Sequence, residues 1–345
     1  MATPDLLIDL LKNVSRSFYL TVRVLPAAIR PQIGLAYLLA RATDTIADTE
    51  IIPVAGRLEA LNQLRKRILG DAVEELDFAS FTAGEASSAA ERAEAVLLGR
   101  IEEAIQALNG FVPEDQRRIR EVLEVITSGQ ELDLRRFGAV ATRTGGQAPA
   151  VTALATEVDL DDYTYRVAGC VGEFWTKMCR AHLFPSAEVD EAVLLANAVR
   201  FGKGLQLVNI LRDLPKDLRL GRCYLPSTRL AESGLTPADL LVVANEPRVR
   251  PLYEAHLDLA QAHLAAGWAY TNALPRGCVR VRLACAWPVL IGVKTIGRLR
   301  EGRFLDATRR IKITRAEVRG IMVRSLARYP FARAWGRQFE QAASG

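Results

Sequence analysis

The chain has 345 residues, half of them hydrophobic and a quarter charged, with a net charge of +5. That length buries a large core, and that composition excludes a disordered chain. Five cysteines with no close pairing, three scattered histidines and no Cys-x-x-Cys exclude a disulfide framework and a recognisable zinc site.

The cysteine usage predicts a cytoplasmic protein. Every apolar run is shorter than the roughly 18 residues that span a bilayer. The N-terminus, with Asp5 and Asp9 and no basic leader, does not read as a signal peptide.

In chain order, Pro4 precedes a short apolar-periodic segment over 5–20. Pro26 and Pro31 lead into a long helix over 32–48, with Leu35, Leu38, Leu39, Ala42 and Ile46 at core spacing. A helix over 54–69 follows, then a loop over 70–90 rich in Ala, Ser, Gly and Glu. Helices are expected at 91–108 and 114–137, and a second loop over 141–150. Asp159 or Asp161 would cap a helix over 161–182, and a long helix covers 187–214. Residues 217–226 read as an irregular crossing segment. Thr236-Pro237 opens a short helix, and helices over 249–273, 277–300 and 314–328 complete the chain. The run Leu283–Val293, interrupted by Pro288, reads as a buried helix. No stretch alternates with period two long enough to make a sheet. The expectation is an all-α fold in a single domain, 1–345, with a motif core over 15–300 and basic C-terminal helices over 298–337.

Those last helices hold twelve Lys/Arg against Glu301, Asp306 and Glu317. Three readings stand: a solvated helix face, attraction to the inner face of an anionic membrane, or attraction to a phosphate-bearing cofactor.

Two stretches concentrate chemistry. Tyr37-Leu-Leu-Ala-Arg41-Ala-Thr-Asp44-Thr-Ile-Ala-Asp48 and Gln206-Leu-Val-Asn209-Ile-Leu-Arg212-Asp213-Leu-Pro-Lys-Asp217 each set two aspartates four residues apart beside an arginine. On a helix such pairs share a face, and carboxylates are costly to bury in apolar helices. One pair alone reads as a helix cap or an arginine partner. Two matching pairs point instead to hard divalent cations, Mg²⁺ or Mn²⁺, held with substrate phosphates. Arg41 and Arg212 would add bidentate phosphate contacts.

Together with Ser15-Arg16-Ser17-Phe18, Tyr163-Thr-Tyr165-Arg-Val-Ala-Gly169-Cys-Val-Gly172 and Gly221-Arg222-Cys-Tyr-Leu-Pro226, these stretches resemble the squalene/phytoene synthase family in order and spacing. The resemblance implies an isoprenoid synthase helical bundle with two aspartate-rich motifs facing a central cavity. It implies head-to-head condensation of two farnesyl diphosphates through presqualene diphosphate, with NADPH reduction to squalene. By the same resemblance Asp44, Asp48, Asp213 and Asp217 are metal ligands. Arg16, Ser17, Tyr37, Arg41, Gln206, Asn209, Arg212 and Arg222 would bind the diphosphates. Tyr165 would handle a proton or stabilise a cation through its ring.

Some features lean towards one branch of that family and some towards another. Thr45 between the first aspartates resembles squalene synthases, and Arg310-Ile-Lys312-Ile-Thr-Arg315 is faintly like their C-terminal region. Tyr165, one residue earlier than the tyrosine of animal and fungal squalene synthases, and Gly221-Arg222-Cys-Tyr-Leu-Pro226 resemble phytoene and dehydrosqualene synthases. Those enzymes run the same condensation without a reductant and are the alternative. No Gly-x-Gly-x-x-Gly dinucleotide fingerprint is present. A non-catalytic relative serving as an assembly module is a further alternative, and it would be free to lose the aspartates that this chain keeps. Nothing beyond the basic tail points to nucleic acid.

Overall fold

The computed structural model describes residues 10–11, 14, 18–49, 52–82, 88–138 and 150–344. They form helices α1 (Phe18–Val24), α2 (Arg30–Asp48), α3 (Val54–Leu69), α4 (Ala79–Thr82), α5 (Ala89–Gly99), α6 (Ile101–Asn109), α7 (Pro113–Phe137), α8 (Glu157–Thr164) and α9 (Cys170–His182). There follow α10 (Glu191–Arg219), α11 (Ser227–Glu232), α12 (Glu246–Ala273), α13 (Val279–Glu301), α14 (Arg315–Arg328), α15 (Ala332–Gly336) and α16 (Gln338–Ala343). The all-α expectation holds. Two-residue strands, β1 (Thr152–Ala153) and β2 (Arg222–Cys223), form a parallel pair too short to leave a period-two pattern. The loop expected over 141–150 lies almost wholly outside the described residues.

The chain divides into two compact units: Met1–Thr142 with Phe174–Pro185, and Arg143–Glu173 with Ser186–Gly345. In the first unit α2 packs against α3, α5, α6 and α7. Pro31 in its first turn fits the N-terminal preference of proline. Its buried residues run nearly all round, from Ile33 to Ala47. The surface it leaves open carries Tyr37, Arg41, Asp44 and Asp48, one stripe at spacings of four, three and four. The helix expected over 91–108 is two helices, broken at Arg100 (φ −116°, ψ 19°).

In the second unit α10 packs on α12 and α13. It extends five residues beyond the expected end, straight through Pro215. Proline lacks the N–H that would bond the carbonyl four residues back. That carbonyl belongs to Leu211, and the buried Tyr253 hydroxyl of α12 donates to it at 3.0 Å. A side chain from the neighbouring helix therefore completes the ladder, and Asp213 and Asp217 stay on one continuous face.

The helix expected over 161–182 is interrupted by a π-helical turn, Tyr165–Gly169. Its start is capped by Thr156, with Asp159 as the reciprocal member of the capping box. At the end of the π turn the Cys170 N–H reaches the Tyr165 carbonyl. The Cys170 thiol donates to the Arg166 carbonyl at 3.0 Å, and burial pushes that thiol up to about 12, so it stays a donor. Two glycines allow this segment to lie directly on α10. A Cβ at Gly172 would meet the Ala198 carbonyl oxygen at 2.1 Å, and one at Gly202 would meet that of Ala168 at 2.2 Å.

Gly221, at φ 74°, ends α10 in the left-handed conformation and turns the chain into β2. The Thr152 N–H then donates to the Gly221 carbonyl at 2.9 Å.

Replacing Tyr253 with Phe leaves the Leu211 carbonyl buried and unpaired, which costs about 1–3 kcal/mol. Urea unfolding of the variant is expected to show that loss with an unchanged m-value.

Candidate active site

The first acidic stripe is organised by Arg41. One arm of its guanidinium binds Asp44 and the other binds Glu94 on α5, both in short contacts. Burial works against the Arg41 charge, but Asp44 and Glu94 outweigh it and hold the guanidinium above its ordinary value. Its Nε is buried with no protein partner.

Asp44 is the strained member of the stripe. Burial first, and the Asp48 carboxylate second, push its carboxyl up to about 7, while Arg41 pulls in the opposite direction. Its side chain still keeps 40% of its surface, so dense protein around it removes bulk water without sealing it off. A carboxyl with a value near 7 is divided between its protonated and ionised forms at neutral pH, and a cation would draw it to the ionised one. The Thr45 hydroxyl points elsewhere, donating to the Arg41 carbonyl at 2.9 Å, and adds no ligand.

The second stripe repeats the theme on α10. Gln206, Asn209, Asp213 and Asp217 follow at spacings of three, four and four between buried Leu207, Val208, Ile210, Leu211, Leu214 and Leu218. Arg212 binds Asp213 through both faces of its fork, Nη2 to Oδ2 at 2.6 Å and Nε to Oδ1 at 3.0 Å. The hydrogen bond to Asp213 chiefly raises the Arg212 value, against burial. Arg222 lies beyond Gly221 at the start of β2, paired in register with Thr152.

Tyr165 opens the π turn. Its hydroxyl donates to Glu173 Oε1 at 3.3 Å, and Lys203 Nζ stands 5.8 Å from its ring centre while also pairing with Asp161 at 2.7 Å. Burial, then Glu173, raise the phenol above its ordinary value, so it is protonated at neutral pH.

The structure thus gathers Tyr37, Arg41, Asp44 and Asp48 in one unit, and Gln206, Asn209, Arg212, Asp213 and Asp217 in the other. Arg16 and Ser17 lie outside the described residues. Sequence reasoning missed Glu94, Glu173 and Lys203. Glu94 sits in an Ala/Glu-rich helix with no motif of its own, whereas Glu173 follows Gly172 directly and Lys203 lies three residues before Gln206.

Among the described residues, no three His, Cys, Asp or Glu side chains come together as a metal site. Each stripe offers two carboxylates, which suits Mg²⁺, since that ion takes one or two carboxylates and completes its shell with water and phosphate oxygens. Arg41 and Arg212 occupy carboxylate oxygens that a metal would claim. Freed of them, both guanidiniums would become phosphate donors.

The fold is all-α, and two of its apolar helices each carry a stripe of paired carboxylates with an arginine bound to one of them. The chain belongs to the squalene/phytoene synthase family, whose profile matches residues 11–317. That family condenses prenyl diphosphates head to head with a divalent metal. Presqualene diphosphate synthase of Rhodopseudomonas palustris is 29% identical over 264 residues, 76% of this chain and 77% of that one. A bifunctional lycopene cyclase/phytoene synthase of Neurospora crassa is 30% identical over 250 residues, 70% of this chain and 39% of the relative. The chain thus spans about two fifths of the length of such fungal relatives. A TcSQS–ligand complex superposes with a TM-score of 0.73 at 21% identity, covering 99% of this chain and 98% of that one. A dehydrosqualene synthase complex does so with a TM-score of 0.62 at 19% identity, covering 94% and 95%.

The Asp44 carboxyl fixes the sign of a pH effect. Its folded value lies above the ordinary carboxylate range, so its contribution to stability is fully present below that range and is lost as pH rises through about 7. Metal binding needs the ionised form. Mg²⁺ is therefore expected to raise the melting temperature more one unit above that pH than one unit below it. Asp44→Asn is expected to flatten both dependences in thermal melts.

Proposed function

We propose that this enzyme joins two farnesyl diphosphates head to head through presqualene diphosphate and reduces that product to squalene with NADPH. The observation that carries the first half is the pair of carboxylate–arginine stripes on α2 and α10. Bound Mg²⁺ would supply charge neutralisation for the departing diphosphate. Asp44 and Asp48 would hold it at one stripe, and Asp213 and Asp217 at the other. Arg41 and Arg212, swung from their carboxylates, would take phosphate oxygens, with Tyr37, Gln206, Asn209 and Arg222 completing the head-group contacts. Arg16 and Ser17 are assigned to the same diphosphates on the family resemblance alone.

Once the first diphosphate leaves, an allylic cation remains, and the double bond of the second substrate attacks it. Loss of a proton closes the cyclopropane. Tyr165 is assigned to that proton. Lys203 already stands over its ring, which leaves the hydroxyl, linked to Glu173, as the group able to accept a proton and pass one on.

Support for the second half comes from Thr45 in the first motif and from the C-terminal region. An open groove of about 430 Å³ is lined by Arg298, Arg310 and Lys312 together with Glu301 and Glu317, the last of which pairs with Arg298. Arg310 and Lys312 form no ion pair with a described carboxylate, so their charge is available to a dinucleotide's phosphates. NADPH held there would supply the hydride.

Purified protein given farnesyl diphosphate and Mg²⁺ is expected to release diphosphate with or without NADPH, and to form squalene only with it. An unreduced C30 hydrocarbon regardless of NADPH would show a dehydrosqualene synthase, and accumulation of presqualene diphosphate with NADPH present would limit the enzyme to the first half-reaction. Turnover of geranylgeranyl diphosphate alone would indicate phytoene. Asp44→Asn and Asp213→Asn are each expected to slow diphosphate release by about 100-fold or more, because metal stabilisation of leaving-group charge contributes several kcal/mol.

A further inference from the structure

The outer surface of the C-terminal helices has a composition that the proposed chemistry does not use. Helix α14 packs on α13 and α15. Its inward side is marked by buried Ile321 and Ser325. On its outward side Arg319, Val323 and Leu326 follow at spacings of four and three, and Val323 and Leu326 are 64% and 53% exposed. Phe331, in the turn before α15, is 65% exposed.

That turn is fixed from both sides. The Tyr329 hydroxyl donates to the Arg276 carbonyl at 2.6 Å, and the Arg276 guanidinium donates to the Pro330 carbonyl at 2.8 Å. One residue group further on, Trp335 stacks on Trp268 at 5.3 Å and donates to Asn272 at 2.7 Å. Phe331 is therefore held out by a rigid support, where a loose end could have folded it away.

Along the chain the charge beside it has one sign, in a stretch bounded by Glu317 and Glu340. Between Val318 and Phe339 lie Arg319, Arg324, Arg328, Arg333 and Arg337 and not one Asp or Glu. We propose that the outward face of α14 and the following turn, with Arg319, Val323, Leu326 and Phe331, is a docking surface for an anionic lipid bilayer. Apolar side chains standing among arginines match the two layers that such a surface meets, acyl chains and acidic head groups. A second copy of the chain fits poorly, because a self-complementary contact would press arginines against arginines. Three protruding apolar side chains also cover far less than the roughly 1,000 Å² that a stable protein interface needs. No described helix is long and apolar enough to cross a membrane, so the contact lies on the surface of the bilayer.

The test uses the full chain without substrate, so its result is separate from the proposed reaction. Co-sedimentation is measured with vesicles of phosphatidylcholine alone and with vesicles containing about one third phosphatidylglycerol. Binding is expected only to the second, falling as salt shortens the screening length. Arg319→Gln and Arg324→Gln are each expected to weaken it roughly fivefold. The double variant Leu326→Ser, Phe331→Ser is expected to weaken it at least about tenfold, with an unchanged circular dichroism melt. Phe331→Ser alone serves if the double variant melts early. No binding to the phosphatidylglycerol vesicles, equal binding to both, or full binding by the serine variants would overturn the proposal. So would a dimer, seen by sedimentation velocity without vesicles, that the same variants dissolve.

Discussion

Two carboxylates four residues apart on an apolar helix repel each other, and one that is crowded by protein, as Asp44 is, also loses water; the repulsion is common to both acidic stripes. The fold answers it without metal by giving each stripe an arginine. Arg41 is itself shared between Asp44 and Glu94, and Arg212 is closed on Asp213 by a two-point fork. The compensation at the first stripe is incomplete, since Asp44 is still held near 7. A cation with its own phosphate ligands would resolve both parts at once: the carboxylates would gain a full countercharge and the arginines an anion. In the proposed reading, metal and diphosphate would be favoured together over either alone.

The second stripe depends on a repair. Pro215 stands between Asp213 and Asp217, where it would ordinarily kink the helix or end it. The sequence pattern accordingly predicts an end at 214 and an irregular segment after it. The Tyr253 hydroxyl supplies the hydrogen bond that Pro215 cannot, and the helix continues to Arg219. Nothing local to residues 206–217 encodes that donor, because it comes from a helix some forty residues downstream. The helix period made the all-α fold, the long central helices and the two stripes legible. The correction at Pro215 sits where a tertiary partner overrides a local signal.

The site shows the same division. Asp44, Asp48, Asp213 and Asp217 declared themselves through repetition of a costly pattern, and their arginines through adjacency. Glu94 did not, because an acidic residue in an Ala/Glu-rich helix looks like a solvated face until Arg41 is seen to reach it. Lys203 was hidden for a related reason. Its partners Tyr165 and Asp161 lie about forty residues earlier and are joined to it only by the close approach that Gly172 and Gly202 permit. The break at Arg100 did leave a glycine, Gly99, directly before it, but the apolar periodicity on both sides ran through that signal.

The π turn at Tyr165–Gly169 carries a consequence for comparing relatives. A wide turn stores one residue more than an α-helix of the same span. If a relative omits that residue, the helix tightens, and everything before the turn rotates by about 100° relative to everything after it. A tyrosine meant for the same point in space must then move by one place in the chain. The tyrosine before Val-Ala-Gly stands at 165 here and one place later in animal and fungal squalene synthases, which is the offset such a stored residue would absorb. Aligned letter by letter, the two tyrosines look like different residues; aligned by helical phase, they are candidates for the same one.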